Sequence, residues 1–161
     1  MFQPVVRGSL PLLPQRARLV VAIDDTLAHK TGKNTPGVAY RRDPLSPAFQ
    51  VNLILAQRFV QFSLLIPLPA QLPSPARGVP SRFAHVPSVK KPKCKAPQED
   101  WDAYREAVKQ KNLNTITVRM LHQFRDELDR VHHAADVHLV LVVDGGYTHK
   151  TILKALPATP R

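Results

Sequence analysis

Two apolar stretches decide the fold of this chain: RLVVAIDD at residues 18–25 and HLVLVVDGG at residues 138–146. Each is a continuous run of aliphatic residues that ends abruptly at an aspartate. Because the first run does not alternate between polar and apolar positions, we predict a strand buried on both faces, in the middle of a covered sheet. The second run is the clearest strand pattern in the sequence. With the helical patterns that lie between them, the two runs predict an α/β protein.

The carboxylates that end these strands form the first candidate site. If the strands are parallel neighbours, Asp24 and Asp144 lie side by side at one edge of the sheet, where open α/β sheets place their chemistry. Two anions held close together need a cation or a shared proton. Mg²⁺ suits such a pair, since it binds a few carboxylates and leaves positions for phosphate oxygens, and two such ions promote phosphodiester cleavage. Spacing alone equally fits aspartates that only cap turns or helices, and Asp25 either shares the metal role or caps the loop.

The residues around the two strands predict further strands, followed by helices. In the first half of the chain, we expect a loop over residues 26–37, a short strand over 38–42, and two strands within 48–67 that break near Gln57 and Arg58. In the second half, we expect a helix over Gln98–Lys111, an amphipathic helix over 115–133, and a short helix that a Thr148 cap begins and that extends through Leu156. Residues 1–17 contain three prolines and show no clear period, so we expect them to be irregular.

Prolines are concentrated in one segment of the sequence. Eight of the 16 prolines fall within residues 67–97. Such a run accommodates neither a long helix nor a central strand. We therefore predict an extended, exposed connector over residues 67–97, which ends in the basic cluster KKPKCK at residues 90–95.

Charge is the most unusual global property of the chain. The formal net charge is +11, and the whole excess lies in residues 1–97, which contain 14 Lys and Arg but only 3 acids. Residues 98–161 contain nine of each sign. A surface this basic attracts polyanions, of which nucleic acid backbones are the commonest, although a solvated basic surface without a ligand also fits.

Several classes of protein are disfavoured by the remaining composition. The single cysteine, Cys94, cannot form an internal disulfide or a Cys-rich zinc site. The seven histidines form no HExxH motif. The longest apolar stretch, residues 51–70, contains Arg58 near its middle, which argues against a membrane span. Without a secretory signal pattern at the N-terminus, we expect a cytoplasmic protein that associates with the nucleoid when it binds DNA.

Two blocks of the sequence resemble the catalytic blocks of DDE-type insertion-sequence transposases. The segments IDDT at 23–26, KTGK at 30–33 and PGV at 36–38 resemble the first block, and VLVVDGGY at 140–147, with the helix that ends LKAL at 153–156, resembles the second. The resemblance covers roughly residues 18–157. It implies an RNase H-like fold: a mixed sheet with flanking helices, in which the first and fourth strands carry the first two metal-binding acids.

The resemblance also implies a chemistry and a set of functional residues. Asp24 and Asp144 would be the catalytic, metal-binding acids, with Asp25 as a further metal ligand. The chemistry would be Mg²⁺- or Mn²⁺-dependent DNA cleavage, followed by attack of the freed 3′-hydroxyl on target DNA. The partners would be transposon ends and target DNA, with a homodimer in a full-length parent. Basic residues that flank the two acid blocks are candidates for phosphate contacts, although simple solvation explains them as well: Lys30, Lys33, Arg41, Arg42 and Lys150.

The chain departs from the family pattern at its third acid. These enzymes carry an acid, usually Glu, on a helix well downstream of the second Asp, whereas none of the 17 residues after Asp144 is acidic. We therefore expect a partial catalytic domain at residues 18–157, truncated at both ends and lacking the third-acid helix. Whether the chain is itself an enzyme is left open, and we expect it to cleave DNA weakly or not at all.

Two other functions compete with a transposase fragment. A non-catalytic basic remnant would bind DNA in a salt-sensitive way without metal-dependent cleavage. A haloacid-dehalogenase-like, Mg²⁺-dependent phosphotransferase also uses a strand that ends in Asp. Its motif requires two acids separated by one residue, whereas Asp24 and Asp25 are adjacent. A Rossmann site is disfavoured because Gly145 and Gly146 do not form a GxGxxG motif.

Overall fold

A five-stranded mixed sheet with flanking helices forms the described part of the computed structural model, which comprises residues 3–12, 18–47, 49–68, 75–130 and 137–156. The strands are β1 (Leu19–His29), β2 (Ala39–Arg42), β3 (Leu53–Pro67), β4 (Ala76–Val86) and β5 (Leu139–Val143). The helices are α1 (Gln3–Ser9), α2 (Gln98–Lys111), α3 (Leu113–Asp129) and α4 (Lys150–Ala155), and 3₁₀ turns lie at Leu10–Leu12 and Gly145–Tyr147.

The long strand β3 organises the sheet. It pairs antiparallel with β1 on one side and, on the other side, with β2 near its start and with β4 along the rest of its length. Strand β5 pairs parallel with the other side of β1. A parallel neighbour requires a crossover connection, which α2 and α3 supply. The predicted RNase H-like mixed α/β fold is confirmed, except that the second acid follows the fifth strand rather than the fourth, because β2 is an additional short strand.

The hydrophobic core lies between one face of the sheet and helix α3. Alternate residues of β1 and β3 contribute to it, together with one stripe of α3: Leu19, Val21, Ile23, Val60, Phe62, Leu64, Met120, Leu121, Phe124 and Leu128. On the opposite face, Val20 and Ala22 are only half-buried and Val142 is 48% exposed. The prediction that β1 is buried on both faces is therefore wrong, because the described helices cover one face only.

Strands β1 and β3 are both longer than the sequence predicts. β1 continues past Asp24 and Asp25 to His29, so the predicted loop begins only at Lys30. β3 is a single strand of 15 residues, and the predicted break near Gln57 and Arg58 is wrong. Both differences have one cause, since β1 and β3 stabilise each other by continuous pairing as far as His29 and Ala56.

The predicted connector at residues 67–97 is in part a strand. Residues Ala76–Val86 form β4, which is an edge strand and therefore tolerates the internal Pro80. The pairing register also shifts between Phe62 and Ser63, beside this proline. Residues 87–97 follow the prediction and contain neither helix nor strand, whereas residues 69–74 lie outside the described part of the chain.

The N-terminal segment is not irregular as predicted. Residues Gln3–Ser9 form α1, and Val6 is only 2% exposed within the core. A helix this short has little intrinsic stability, so its packing against the sheet accounts for it. Residues 13–17 lie outside the described part of the chain.

The predicted helices after the connector are largely confirmed. α2 has the predicted bounds, and α3 begins earlier than predicted because Asn112 caps it by accepting a hydrogen bond from the Thr115 backbone N–H. α3 ends at Asp129, and residues 131–136 lie outside the described part of the chain. His149, rather than Thr148, caps α4.

Acid is expected to weaken the fold through His85. Its ring packs against Phe59 with 5.0 Å between ring centroids, and burial, then the charge of Arg41, lower the pKa of His85. The unfolded chain, in which histidine has a pKa of about 6.5, therefore binds this proton first, and stability falls as pH drops below that value. Denaturant titrations at pH 7 and pH 5 should show a smaller acid loss for His85→Phe than for the wild type, by at most about 1.4 kcal/mol per pH unit.

The exposed His122 on α3 provides the control for this prediction. A His122→Asn variant should lose as much stability on acidification as the wild type. An equal acid loss in His85→Phe and in the wild type would contradict the assignment.

Candidate active site

The two predicted acids follow the last paired residues of neighbouring parallel strands. The β1–β5 ladder runs from the Leu19–Leu139 pair to the Ile23–Val143 pair, and Asp24 and Asp144 directly follow the two residues of the last pair. Adjacent strands in a sheet lie about 4.8 Å apart. Both aspartates are exposed, and strand alternation turns Asp24 away from the core face of β1. Two residues separated by 120 positions are thus brought to the same edge of the sheet.

Each acid uses one carboxylate oxygen to fix its own backbone. Asp24 Oδ1 accepts a hydrogen bond from the Asp25 backbone N–H at 2.8 Å. Asp144 Oδ1 accepts one from the Gly146 backbone N–H at 2.9 Å and caps the 3₁₀ turn. The capping role that spacing left open is therefore real for one oxygen of Asp144, whereas Asp24 lies within β1 and caps neither a turn nor a helix. Among the described residues, Oδ2 of each has no hydrogen-bond partner, so one oxygen per acid is available for a ligand.

Asp25 has a different environment from Asp24. Strand alternation directs it toward the helix-covered face, where both of its oxygens have protein partners. Arg58 Nε donates to Asp25 Oδ2 at 2.6 Å, and Tyr147 Oη donates to Asp25 Oδ1 at 3.1 Å. Asp25 is thus half-buried in a hydrogen-bonded cluster with a residue from β3 and a residue from the turn after β5.

Sequence reasoning missed Arg58 and Tyr147 as site residues. Arg58 had a usable signal, because a charged side chain within an apolar strand usually has a buried partner. Tyr147 had a weaker signal, its position directly after Gly145 and Gly146. Neither signal identifies Asp25 as the partner that Arg58 and Tyr147 share, because the pairing of three strands brings these residues together.

The cluster places the positive charge of Arg58 near two carboxylates, those of Asp25 and Asp144. The pKa of Arg58 is raised, chiefly by its hydrogen bond to Asp25 and also by the charge of Asp144. The pKa of Tyr147 is raised by burial, then by Asp25, with a smaller contribution from Asp24. Arg58 therefore offsets part of the repulsion among the acids, and Tyr147 stays a neutral hydrogen-bond donor at physiological pH.

The donor set fits a hydrated divalent cation. Within the described residues, no group of three or more His, Cys, Asp or Glu side chains is arranged to hold a metal. Asp24 and Asp144 supply two carboxylates at a solvent-exposed edge. Mg²⁺ commonly binds one or two carboxylates and completes its coordination with water and substrate phosphate. The residues present thus suit an ion that is shared with a substrate.

The predicted DNA-contacting residues differ in their exposure. Lys33, Arg42 and Lys150 are exposed, and Lys30 is half-buried. Arg41 is also half-buried, and its guanidinium donates to Ser88 Oγ at 2.8 Å. The structure therefore presents three of the five to solvent and engages Arg41 with the start of the connector.

The connector that follows β4 leaves the sheet near the edge that carries the acids. β4 ends at Val86, which pairs with Arg58, and Arg58 pairs with Leu27 beyond Asp24 on β1. The segment that follows contains four exposed lysines: Lys90, Lys91, Lys93 and Lys95. Lys91 Nζ lies 5.6 Å from the centroid of the Trp101 ring, which ties this segment to α2.

The fold, the acid pair and the basic edge together agree with one family. A family model described as DDE superfamily endonuclease matches residues 4–159. The chain belongs to this family. The DDE superfamily endonuclease domain implies a DNA substrate and a nuclease- or transposase-type function, and its members generally use divalent metals. No curated protein and no solved structure matches the chain.

Among the described residues of this DDE endonuclease domain, no helix has the length and apolar character needed to cross a bilayer.

Proposed function

We propose that this DDE endonuclease domain supplies Asp24 and Asp144 to Mg²⁺- or Mn²⁺-dependent cleavage and strand transfer of DNA during transposition. One observation carries the proposal: the parallel ladder of β1 and β5 ends one residue before both acids. This alignment of the two acids favours a ligand that they share over two independent capping roles. The substrates are transposon ends and target DNA.

The side chains of the site have separable roles in this proposal. Asp24 and Asp144 would hold the ion through the oxygens that do not accept from a backbone N–H. When bound, the ion would stabilise negative charge on a phosphodiester and lower the pKa of a bound water. The backbone N–H groups of Asp25 and Gly146 orient the two carboxylates before any ligand arrives.

The exposed basic residues supply contacts to the DNA backbone. Lys33, Arg42 and Lys150 flank the two acid segments in sequence and are exposed. Phosphate contacts fix the position of a duplex without reading its sequence. They would therefore orient a strand at the acid edge, and their contribution to binding should weaken as salt concentration rises.

The chain alone is proposed to be a weak nuclease or an inactive one. Asp25 is engaged by Arg58 and Tyr147, which leaves Asp24 and Asp144 as the acids of this cluster with an oxygen that has no partner among the described residues. Two carboxylates hold one hydrated ion, whereas in-line displacement at a phosphodiester is best served by a pair of ions. We therefore expect this chain to bind a metal ion without cleaving DNA rapidly.

Calorimetric titration with Mn²⁺ and Mg²⁺ tests the metal site. We expect one class of saturable binding, reversed by EDTA, together with little or no Mn²⁺-dependent nicking of supercoiled plasmid by the same protein. Absence of saturable binding, with salt-sensitive DNA binding retained, would instead support the non-catalytic remnant. Robust nicking that Asp144→Ala abolishes would refute the weak-nuclease proposal while it supports the acid pair.

A further inference from the structure

The two acids are held between two kinds of cross-link. Before them, the parallel ladder joins β1 to β5 as far as the Ile23–Val143 pair. After them, the hydrogen bond from Tyr147 Oη to Asp25 Oδ1 joins the same two segments again, across 122 positions of sequence. The backbones that carry Asp24 and Asp144 are thus fixed from both sides.

The link on the side of Asp144 is short and stiff. The backbone N–H of Tyr147 donates to the Asp144 carbonyl oxygen at 3.1 Å, and the Asp144 carboxylate caps the same 3₁₀ turn. Tyr147 is 1% exposed, so surrounding side chains fix its ring. A displacement of the Tyr147 hydroxyl would therefore move the turn that carries Asp144.

The link on the side of Asp24 is held by the centre of the sheet. Asp25 is the next residue after Asp24, and Arg58 Nε holds its other oxygen at 2.6 Å. Arg58 belongs to the middle of β3 and is paired with Leu27 and Val86 on either side. The position of the Asp25 carboxylate is thus determined by three strands.

We propose that Arg58, Asp25 and Tyr147 form a positioning triad, which sets the separation of the Asp24 and Asp144 carboxylates and so the affinity of the site for a divalent cation. Asp25 is accordingly a positioning residue and not a metal ligand. This inference rests on the proposed function, because it requires Asp24 and Asp144 to share an ion. Partners that orient ligands in this way typically change metal affinity by 10- to 100-fold when they are removed.

Removal of the tyrosine hydroxyl is the direct test. Tyr147→Phe keeps the buried ring and deletes only the hydrogen bond to Asp25. Its Mn²⁺ affinity, measured by calorimetry, should fall about tenfold. The matched control is Tyr104→Phe, on the outer helix α2, which should bind Mn²⁺ as the wild type does. A metal-affinity change without a change in thermal midpoint distinguishes positioning from a general loss of packing.

A second variant separates a positioning role from a ligand role for Asp25. Asp25→Asn retains one oxygen, which can accept from the Tyr147 hydroxyl, and loses the oxygen that accepts from Arg58 Nε, so Mn²⁺ affinity should fall by no more than about tenfold. If Asp25 were a ligand, its replacement would remove saturable binding, as Asp24→Asn is expected to do. This variant also decides the question if circular dichroism shows that Tyr147→Phe does not fold.

The outcomes distinguish this inference from the function on which it rests. Equal Mn²⁺ affinities in Tyr147→Phe and Tyr104→Phe, with binding still lost in Asp24→Asn, overturn the triad alone. Loss of all binding in Asp25→Asn overturns it as well, in favour of a ligand role. A wild-type chain without saturable Mn²⁺ binding overturns the triad and the proposed function together.

Discussion

Asp144→Asn is expected to lower the Mn²⁺ affinity of the chain by a hundredfold or more and to leave the free energy of unfolding within about 0.5 kcal/mol of the wild type. A carboxylate near a cation contributes roughly 4 kcal/mol per unit charge at a partly exposed site about 4 Å away. Since each 1.4 kcal/mol is tenfold in affinity, loss of that charge removes more than two factors of ten. Asp24→Asn should have the same effect.

The small effect on folding follows from the hydrogen bonds of the two acids. Each uses Oδ1 to accept from a backbone N–H, and an asparagine side chain carries an equivalent oxygen. Both residues are exposed, so the substitution buries no new polar group. The structure therefore predicts loss of the ligand without loss of the fold.

Thermal melting with and without Mn²⁺ measures both effects in one experiment. A ligand that binds only the folded state raises the melting temperature, and the rise disappears when the site is lost. Asp43→Asn is the matched control, because Asp43 Oδ1 also accepts from a backbone N–H, that of Leu45 at 3.0 Å. Wild-type stabilisation by Mn²⁺ in Asp144→Asn would exclude the acid pair as the metal site.

The acid pair could be predicted from the sequence because its signal is local. Each acid directly follows an apolar run of five residues, and such a run predicts a strand from its own residues alone. The parallel pairing of β1 with β5 then aligns Asp24 with Asp144. The role of Asp25 could not be predicted, since its partners Arg58 and Tyr147 are set by tertiary pairing across the sheet.

The long hairpin of β3 and β4 could not be predicted for a related reason. Gln57 and Arg58 interrupt an apolar pattern, and from the sequence this interruption predicts a break between two strands. In the folded chain Gln57 Nε2 donates to the Pro36 carbonyl oxygen and Arg58 contacts Asp25, so both polar side chains have partners within a continuous strand. Likewise, Pro80 argues against a central strand but is compatible with an edge.

The same sheet separates the residues that stabilise the fold from those assigned to chemistry. Strand alternation turns Ile23 and Asp25 toward α3 and turns Asp24 toward the opposite face. The core side contains apolar residues and the hydrogen-bonded cluster of Asp25, Arg58 and Tyr147, whereas Asp24 is exposed on the opposite face and Asp144 is exposed just after β5. Substitutions in the core should therefore reduce stability without altering the ligand set.

Phe124→Ala should cause the largest loss of stability of any substitution considered, about 3–5 kcal/mol. Phe124 is fully buried on α3 and packs edge-to-face on Phe62 of β3, with 6.2 Å between ring centroids. Deletion of the ring removes buried apolar area and leaves a cavity between helix and sheet. Because a domain of this size is typically stable by only about 5–15 kcal/mol, the variant should be close to unfolding.

The same substitution at two other phenylalanines calibrates this result in urea denaturation. Phe83 is 45% exposed and stacks on Phe59, at 4.7 Å between centroids, so Phe83→Ala should cost about 1 kcal/mol. Phe49 is fully exposed, and Phe49→Ala should change stability by less than about 0.5 kcal/mol. The order Phe124, Phe83, Phe49 follows only if α3 covers the face of the sheet that carries Phe62. If Phe83→Ala proved as costly as Phe124→Ala, the core would have to lie on the face that carries Asp24, and Asp24 could then not be accessible to a metal shared with DNA.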